Sequence, residues 1–300
     1  MKKFQIKTKD GYALSVHTFD VENPKAVVQI IHGMEEHQER YEDFAHFLNE
    51  NGYCVVTSDL RGHGKTAETL GFFKEKDGDA ALIYDQMHIR SFISRQYKDV
   101  PVYLFGHSMG TIISRVLLQS RSKDYAKAVL SGPPNYQRHA CFGLLLTSIL
   151  QKLHGPEYKS AFVQKASVGV FNKAVQNPST DVDWICCNPE TVASYRNDPY
   201  CGFGFTVSAF HDLYRLLIKM HHAKSYRNIN TDLRIFMISG LDDPCTGGEK
   251  GLHNSSHVLL DAGFDNICRK QYPGMRHEVL NEAEHLQVYN DIVNFINKQE

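Results

Sequence analysis

Six strand-like runs, at residues 26–31, 54–58, 102–105, 128–130, 233–239 and 266–272, are separated by stretches whose apolar residues recur at helical spacing. Those helical stretches cover 40–51, 79–97, 110–120, 208–222, 252–262 and 282–298. A short apolar run bounded by turn formers reads as a strand buried on both faces, and a helix between two such strands lets them lie parallel. The alternation therefore restricts the chain to an α/β fold, with a mostly parallel sheet flanked by helices. Two further runs, 4–7 and 13–19, are joined through Asp10-Gly11 and predict an opening hairpin, which brings the sheet to about eight strands. At 300 residues with 42% hydrophobic content, the chain can fill such a core.

One segment breaks the rhythm. Between Pro133 and Thr206 no strand pattern recurs, and Pro133-Pro134, Gly155-Pro156, Asn177-Pro178, Asn188-Pro189 and Asp198-Pro199 interrupt helical stretches such as 141–153 and 161–176. A structureless connection of that length is out of place in a compact domain. Residues 133–206 are expected to form a helical cap inserted into a core of 1–132 and 207–300. Because the segment leaves from the end of the run 128–130, it should lie over the carboxyl ends of the strands and hold the substrate-binding residues. Its stretch Cys141-Phe142-Gly143-Leu144-Leu145-Leu146-Thr147-Ser148-Ile149-Leu150 is strongly apolar but too short to span a bilayer. Lining an acyl channel, touching a membrane face transiently and packing on the cap's own core remain open for it.

Gly106-His107-Ser108-Met109-Gly110 carries the chemistry. Gly-x-Ser-x-Gly is a weak pattern alone, but here it follows a strand-like run and opens a helical one, the context of a nucleophile elbow. Ser108 becomes a nucleophile only beside a histidine that takes its proton, and the histidine needs a carboxylate to fix its tautomer. After the run 233–239 come Gly240-Leu241-Asp242-Asp243-Pro244. Asp243, stiffened by the following proline, is favoured as the acid, with Asp242 as the fallback. Sixteen histidines make any one suspect, and His253, His257 and His285 lie on predicted helices. His277 follows the last strand in the loop Pro273-Gly274-Met275-Arg276-His277-Glu278 and can reach back over the sheet. The order Ser108, Asp243, His277 differs from the orders of chymotrypsin and subtilisin. For the oxyanion, one donor is expected from the backbone N–H of Met109 and the other from the N–H of Met34. Met34 lies in the loop His32-Gly33-Met34-Glu35-Glu36-His37.

These residues, with Asp59-Leu60-Arg61-Gly62-His63-Gly64, resemble the α/β-hydrolase superfamily. Within it the chain is similar to the lysophospholipase and monoacylglycerol lipase group of serine hydrolases. The resemblance implies the α/β-hydrolase fold and the same roles for Ser108, Asp243, His277, Met34 and Met109. It also implies hydrolysis of lipid-like or small esters through an acyl-enzyme on Ser108, without a cofactor. Serine at position 108 separates the chain from epoxide hydrolases and haloalkane dehalogenases, which use aspartate there. Amide or thioester cleavage by the same residues is an alternative, and a non-catalytic binding protein on this fold a more distant one.

Composition excludes little else. A net charge of −1 gives no pull toward nucleic acid or anionic membranes. The basic start lacks the apolar stretch of a signal peptide, and no window is apolar enough to span a membrane, so a cytoplasmic location is expected. Seven scattered cysteines argue for reduced thiols, with vicinal Cys186 and Cys187 as packing residues. His253 and His257 lie four apart on one helix face, but Asn254 stands where a zinc-binding H-E-x-x-H motif needs Glu, so no metal is expected.

Overall fold

The computed structural model describes residues 1–136 and 139–298. Two residues of the expected cap, 137 and 138, and two of the expected core, 299 and 300, lie outside the described residues. Eight strands, β1 (Lys2–Lys7), β2 (Ala13–Phe19), β3 (Val27–Ile31), β4 (Cys54–Ser58), β5 (Val102–His107), β6 (Lys127–Ser131), β7 (Arg234–Gly240) and β8 (Ile267–Tyr272), form one sheet in the order β1-β2-β4-β3-β5-β6-β7-β8. β2 runs antiparallel to both neighbours, and all pairings from β4 through β8 are parallel. The fold is the α/β-hydrolase fold.

Side-chain alternation decides which helices go where. Along β3, Val27 and Ile31 face one core while Val28 and Ile30 face the other, and on β5 Leu104 and Phe105 divide the same way. The first face is covered by α2 (Gly78–Gln96), α3 (Met109–Arg121), α7 (Val207–His221) and α8 (Gly248–Asp261) through residues such as Ile89, Ile113, Leu216 and Leu259. The second is covered by α1 (Glu42–Glu50) and α9 (His285–Asn297) through Phe44, Leu48, Tyr289 and Val293.

Between β6 and α7 the described chain holds α4 (Ala140–His154), α5 (Ala161–Ser167) and α6 (Pro189–Asn197) and no strand. The expected helix 161–176 stops at Ser167, where Val168, Gly169 and Val170 are poor helix formers, and resumes only as a single turn at Phe171–Ala174. α6, which the apolar pattern did not reveal, is set by its start: the Asn188 side chain accepts the Glu190 N–H at 3.0 Å, and Pro189 occupies the first turn. A small core of its own, Trp184, Ile185, Cys186, Val192, Tyr195 and Cys201 with Cys245, holds this region together. Cys186 packs there, but Cys187 is exposed and does not pack.

Candidate active site

Ser108 sits where β5 turns into α3, with φ 50° and ψ −118°. That conformation is costly for a residue with a Cβ and persists only where the surroundings impose it. Here the glycines on either side let the strand and helix close around it. A Cβ on Gly110 would lie 2.1 Å from the Ile31 carbonyl oxygen, and one on Gly106 2.6 Å from Ser114 Oγ. The Ser108 N–H donates to the Ser131 carbonyl at 2.9 Å, tying the turn to β6.

Asp243 and His277 come to the same point from the ends of β7 and β8. Gly240 makes the approach feasible, since a Cβ there would meet the Met275 and Arg276 carbonyls at 2.1 and 2.2 Å. His277 Nδ1 lies 2.9 Å from Asp243 Oδ2, and His277 Nε2 lies 2.7 Å from Ser108 Oγ. A carboxylate can only accept, so Nδ1 carries the proton and the Nε2 lone pair faces the serine hydroxyl. Asp243 is further held by the Cys245 N–H at 2.8 Å and the Thr246 hydroxyl at 2.5 Å. Asp242 is exposed, and its N–H is spent on the Met275 carbonyl. Of the two aspartates the structure thus brings only Asp243 to His277.

Burial opposes charge on both partners, yet their mutual attraction outweighs it: His277 is raised above its ordinary value and Asp243 lowered below its own. His107, whose ring centroid is 4.9 Å from that of His277, is pushed down to about 4 by burial and by repulsion from His277 whenever that ring is protonated. It is neutral at pH 7.

Met34 and Met109 border the same cavity as Ser108. The Met109 amide is in the first turn of α3, where no intrahelical acceptor exists. Behind Met34, the buried Glu36 carboxylate accepts the Gly33 N–H at 2.5 Å and the Tyr41 hydroxyl at 2.8 Å.

Glu36, Arg276 and Glu278 stand in the sequence motifs without a role, and Arg40, Trp184 and Glu282 stand in none of them. Arg40 donates to Glu36 at 2.6 Å and, through both terminal nitrogens, to Glu278 at 2.8 and 2.6 Å, so the loop after β3 is bolted to the residue following His277. Trp184 lays its ring against His277, centroids 4.9 Å apart. Arg276 donates to the Asp183 carbonyl at 2.6 Å, Glu278 N–H to the Ile185 carbonyl at 2.7 Å, and Glu282 accepts both the Arg276 and Cys187 amides. For the charged residues the signal in the sequence is charge in loops otherwise rich in turn formers, and for Trp184 it is an aromatic in the segment 133–206; the pairing across 238 residues of sequence is invisible to periodicity.

Above Ser108 lies a cavity of about 930 Å³. Its walls are largely apolar: Phe142, Leu145, Leu146 and Ile149 of α4, Val163 of α5, and Leu213 and Leu217 of α7. The expected substrate-binding region between Pro133 and Thr206 thus supplies much of the wall, but α3, α7, the end of β5 and the loops after β3, β5, β7 and β8 supply the rest.

Two groups of potential metal donors exist among the described residues, His37 with Asp198 and Cys201, and His17 with Glu39 and Glu42. Neither contains Ser108, Asp243 or His277. His253 and His257 are exposed, with ring centroids 4.4 Å apart.

Residues 22–284 match the family model described as serine aminopeptidase, S33. Phospholipase YtpA of Bacillus subtilis is 33% identical over 91% of this chain and 95% of its own. Monoacylglycerol lipase of Mycolicibacterium smegmatis is 25% identical over 91% of this chain and 89% of its own. Among solved structures, a highly thermostable carboxyl esterase from Bacillus coagulans, in complex with glycerol, superposes with a TM-score of 0.92 at 25% identity, covering 99% of this chain and 97% of that one.

Proposed function

This chain belongs to the serine aminopeptidase S33 family and is a serine hydrolase of the lipase and esterase type, and we propose that it cleaves monoesters of apolar acids such as monoacylglycerols or lysophospholipids. The supporting observation is the hydrogen-bonded chain Asp243–His277–Ser108 opening directly into a cavity walled by aliphatic side chains. In this reading Ser108 attacks the ester carbonyl while His277 takes its proton. The amides of Met34 and Met109 hold the developing oxyanion, His277 returns the proton to the leaving alcohol, and water releases the acid by the reverse path.

An aminopeptidase reading has weaker support. A free substrate amine would need an ionised, unpaired carboxylate, and the cavity offers Glu35, Glu36 and Glu278. Glu36 and Glu278 are both committed to Arg40, and burial raises Glu35 toward its neutral form.

The segment 133–206 is read as a cap whose α4 borders the acyl cavity on one side and solvent on the other. Leu153 and Phe162, 70% and 69% exposed, would rest on aggregated lipid while substrate enters. Unpaired thiols at all seven cysteines fit a reducing compartment such as the cytoplasm.

A panel of p-nitrophenyl esters, monoacylglycerols and lysophospholipids of graded chain length tests the proposal. The expected result is kcat/KM rising from short to medium or long chains, with turnover and fluorophosphonate labelling both abolished in Ser108→Ala. Preference for acetyl esters, or for aminoacyl amides, would reject the substrate class.

A further inference from the structure

The loop 59–64 is prominent in the sequence, yet it takes no part in the Ser108–His277–Asp243 chain. Its histidine is fully buried, and burial next to His32 pushes His63 down to about 3, so the ring is neutral. His63 Nδ1 lies 2.9 Å from the Arg61 carbonyl, which can only accept. The proton is therefore on Nδ1, and Nε2 is left as an acceptor. It takes the backbone N–H of Glu35 at 3.3 Å.

His32 repeats the arrangement in the opposite direction. Its Nδ1 donates to the Gly33 carbonyl at 2.7 Å, and its Nε2 accepts the Leu60 N–H at 2.9 Å. Between these two anchors run only Gly33 and Met34. Glu35 has a φ of 55°, a left-handed conformation that a residue with a Cβ keeps only when its surroundings enforce it. On its far side the Glu35 carbonyl accepts the Tyr195 hydroxyl and the Gly202 N–H, each at 3.0 Å, and its carboxyl accepts Gln164 Nε2 at 2.7 Å.

We propose that His63 is a positioning residue for ester hydrolysis. By accepting the Glu35 N–H it clamps the left-handed turn that aims the Met34 amide at the oxyanion, with Tyr195 gripping the same residue from above. Two neutral imidazoles suit this task because each offers one donor and one acceptor at fixed separation inside a dry core, with no charge to desolvate. The inference rests on the oxyanion role given to Met34 under the proposed function.

The test compares His63→Leu, His63→Gln, Tyr195→Phe and Ser108→Ala in the full chain. The readouts are p-nitrophenyl ester kinetics, inhibition by an alkyl boronic acid, whose tetrahedral adduct on the serine places an oxygen in the oxyanion position, and thermal unfolding. His63→Leu should lower kcat by about 10- to 100-fold and weaken boronate inhibition in proportion, with KM within about threefold of the parent. His63→Gln, which keeps an acceptor near the Nε2 position, should recover most of both. A folded His63→Leu with unchanged kcat, or equal losses in the Leu and Gln variants, overturns the proposal. Should His63→Leu fail to fold, Tyr195→Phe decides: unchanged kcat and boronate inhibition overturn it, a parallel fall in both supports it. Turnover retained by Ser108→Ala would instead reject the active-site reading beneath it.

Discussion

Asp242 and Asp243 have the same chemistry, and burial is what divides them. Asp243 is 1% exposed and accepts from Cys245, Thr246 and His277, whereas Asp242 points to solvent. Asp243→Asn would present an amide to His277 Nδ1 and favour the tautomer that cannot accept the serine proton. Its kcat should fall by about 10³- to 10⁴-fold, against less than about threefold for Asp242→Asn, in steady-state ester hydrolysis. The reverse order would reassign the acid. The Asp243 carboxylate also raises His277 above the usual 6.5 against the effect of burial. A base must be neutral, so kcat/KM should rise with pH through an acidic limb whose midpoint lies above 6.5 in a pH–rate profile. The pair's contribution to stability has the opposite slope: it is present below the unfolded histidine value and fades as pH rises through the raised one. At the acidic end it is lost as pH falls through the lowered Asp243 value. Activity is therefore gained over the range in which this stabilisation is lost.

At the level of elements, the site is made by how closely strand ends and loops approach one another. Glycines at 106, 110 and 240 are explained by contact rather than by positive φ: each would place a Cβ under 3 Å from another segment. Gly110→Ala should force α3 away from the end of β3 and destabilise the protein by about 2–3 kcal/mol in chemical denaturation. A loss under about 0.5 kcal/mol would show that the helix can shift freely. The elements themselves were legible. All eight strands fell on the expected runs, but not all are buried: β3 and β4 are buried along their whole length and leave a near-continuous apolar signature, whereas β8, expected from 266–272 as a buried strand, is an edge strand that exposes Cys268, Arg269 and Lys270. Helix ends were less legible. α8 begins at Gly248, four residues before its apolar pattern, at a turn where Gly247 and Gly248 adopt positive φ. The expected helix from 282 begins at His285, after a turn in which the His285 N–H donates to the Glu282 carbonyl.

Across the whole molecule, segment 133–206 and the core share one cavity, and their seam runs through the site. Arg276, Glu278 and Glu282 bind the backbone of 183–187, while Tyr195 and Gln164 hold Glu35. A movement of the segment 133–206 would thus reach Glu35 in the loop after β3 directly. The outer side of the same segment exposes Leu153 and Phe162, neither of which borders the cavity. Replacing both with serine should weaken vesicle sedimentation and lower hydrolysis of vesicle-borne lipid by about 5- to 10-fold, as expected for about 1–1.5 kcal/mol of interfacial contact. Soluble p-nitrophenyl butyrate should be turned over as before. Equal losses on both substrates would place these residues in the fold rather than at a lipid surface.

The meeting of Ser108, Asp243 and His277 and the mostly parallel sheet could be read from the sequence, because each depends on local pattern: an apolar run, the turn that ends it, and the residue type the turn presents. What only the tertiary structure decided is everything that depends on distance between remote segments. The Arg40–Glu278 pair, Trp184 against His277, the exclusion of Asp242 and the clamp of His63 on Glu35 join residues from 28 to 238 positions apart. A charge or an imidazole in a loop reads the same whether it ends in water or in a buried network. Folding makes that distinction by removing the water.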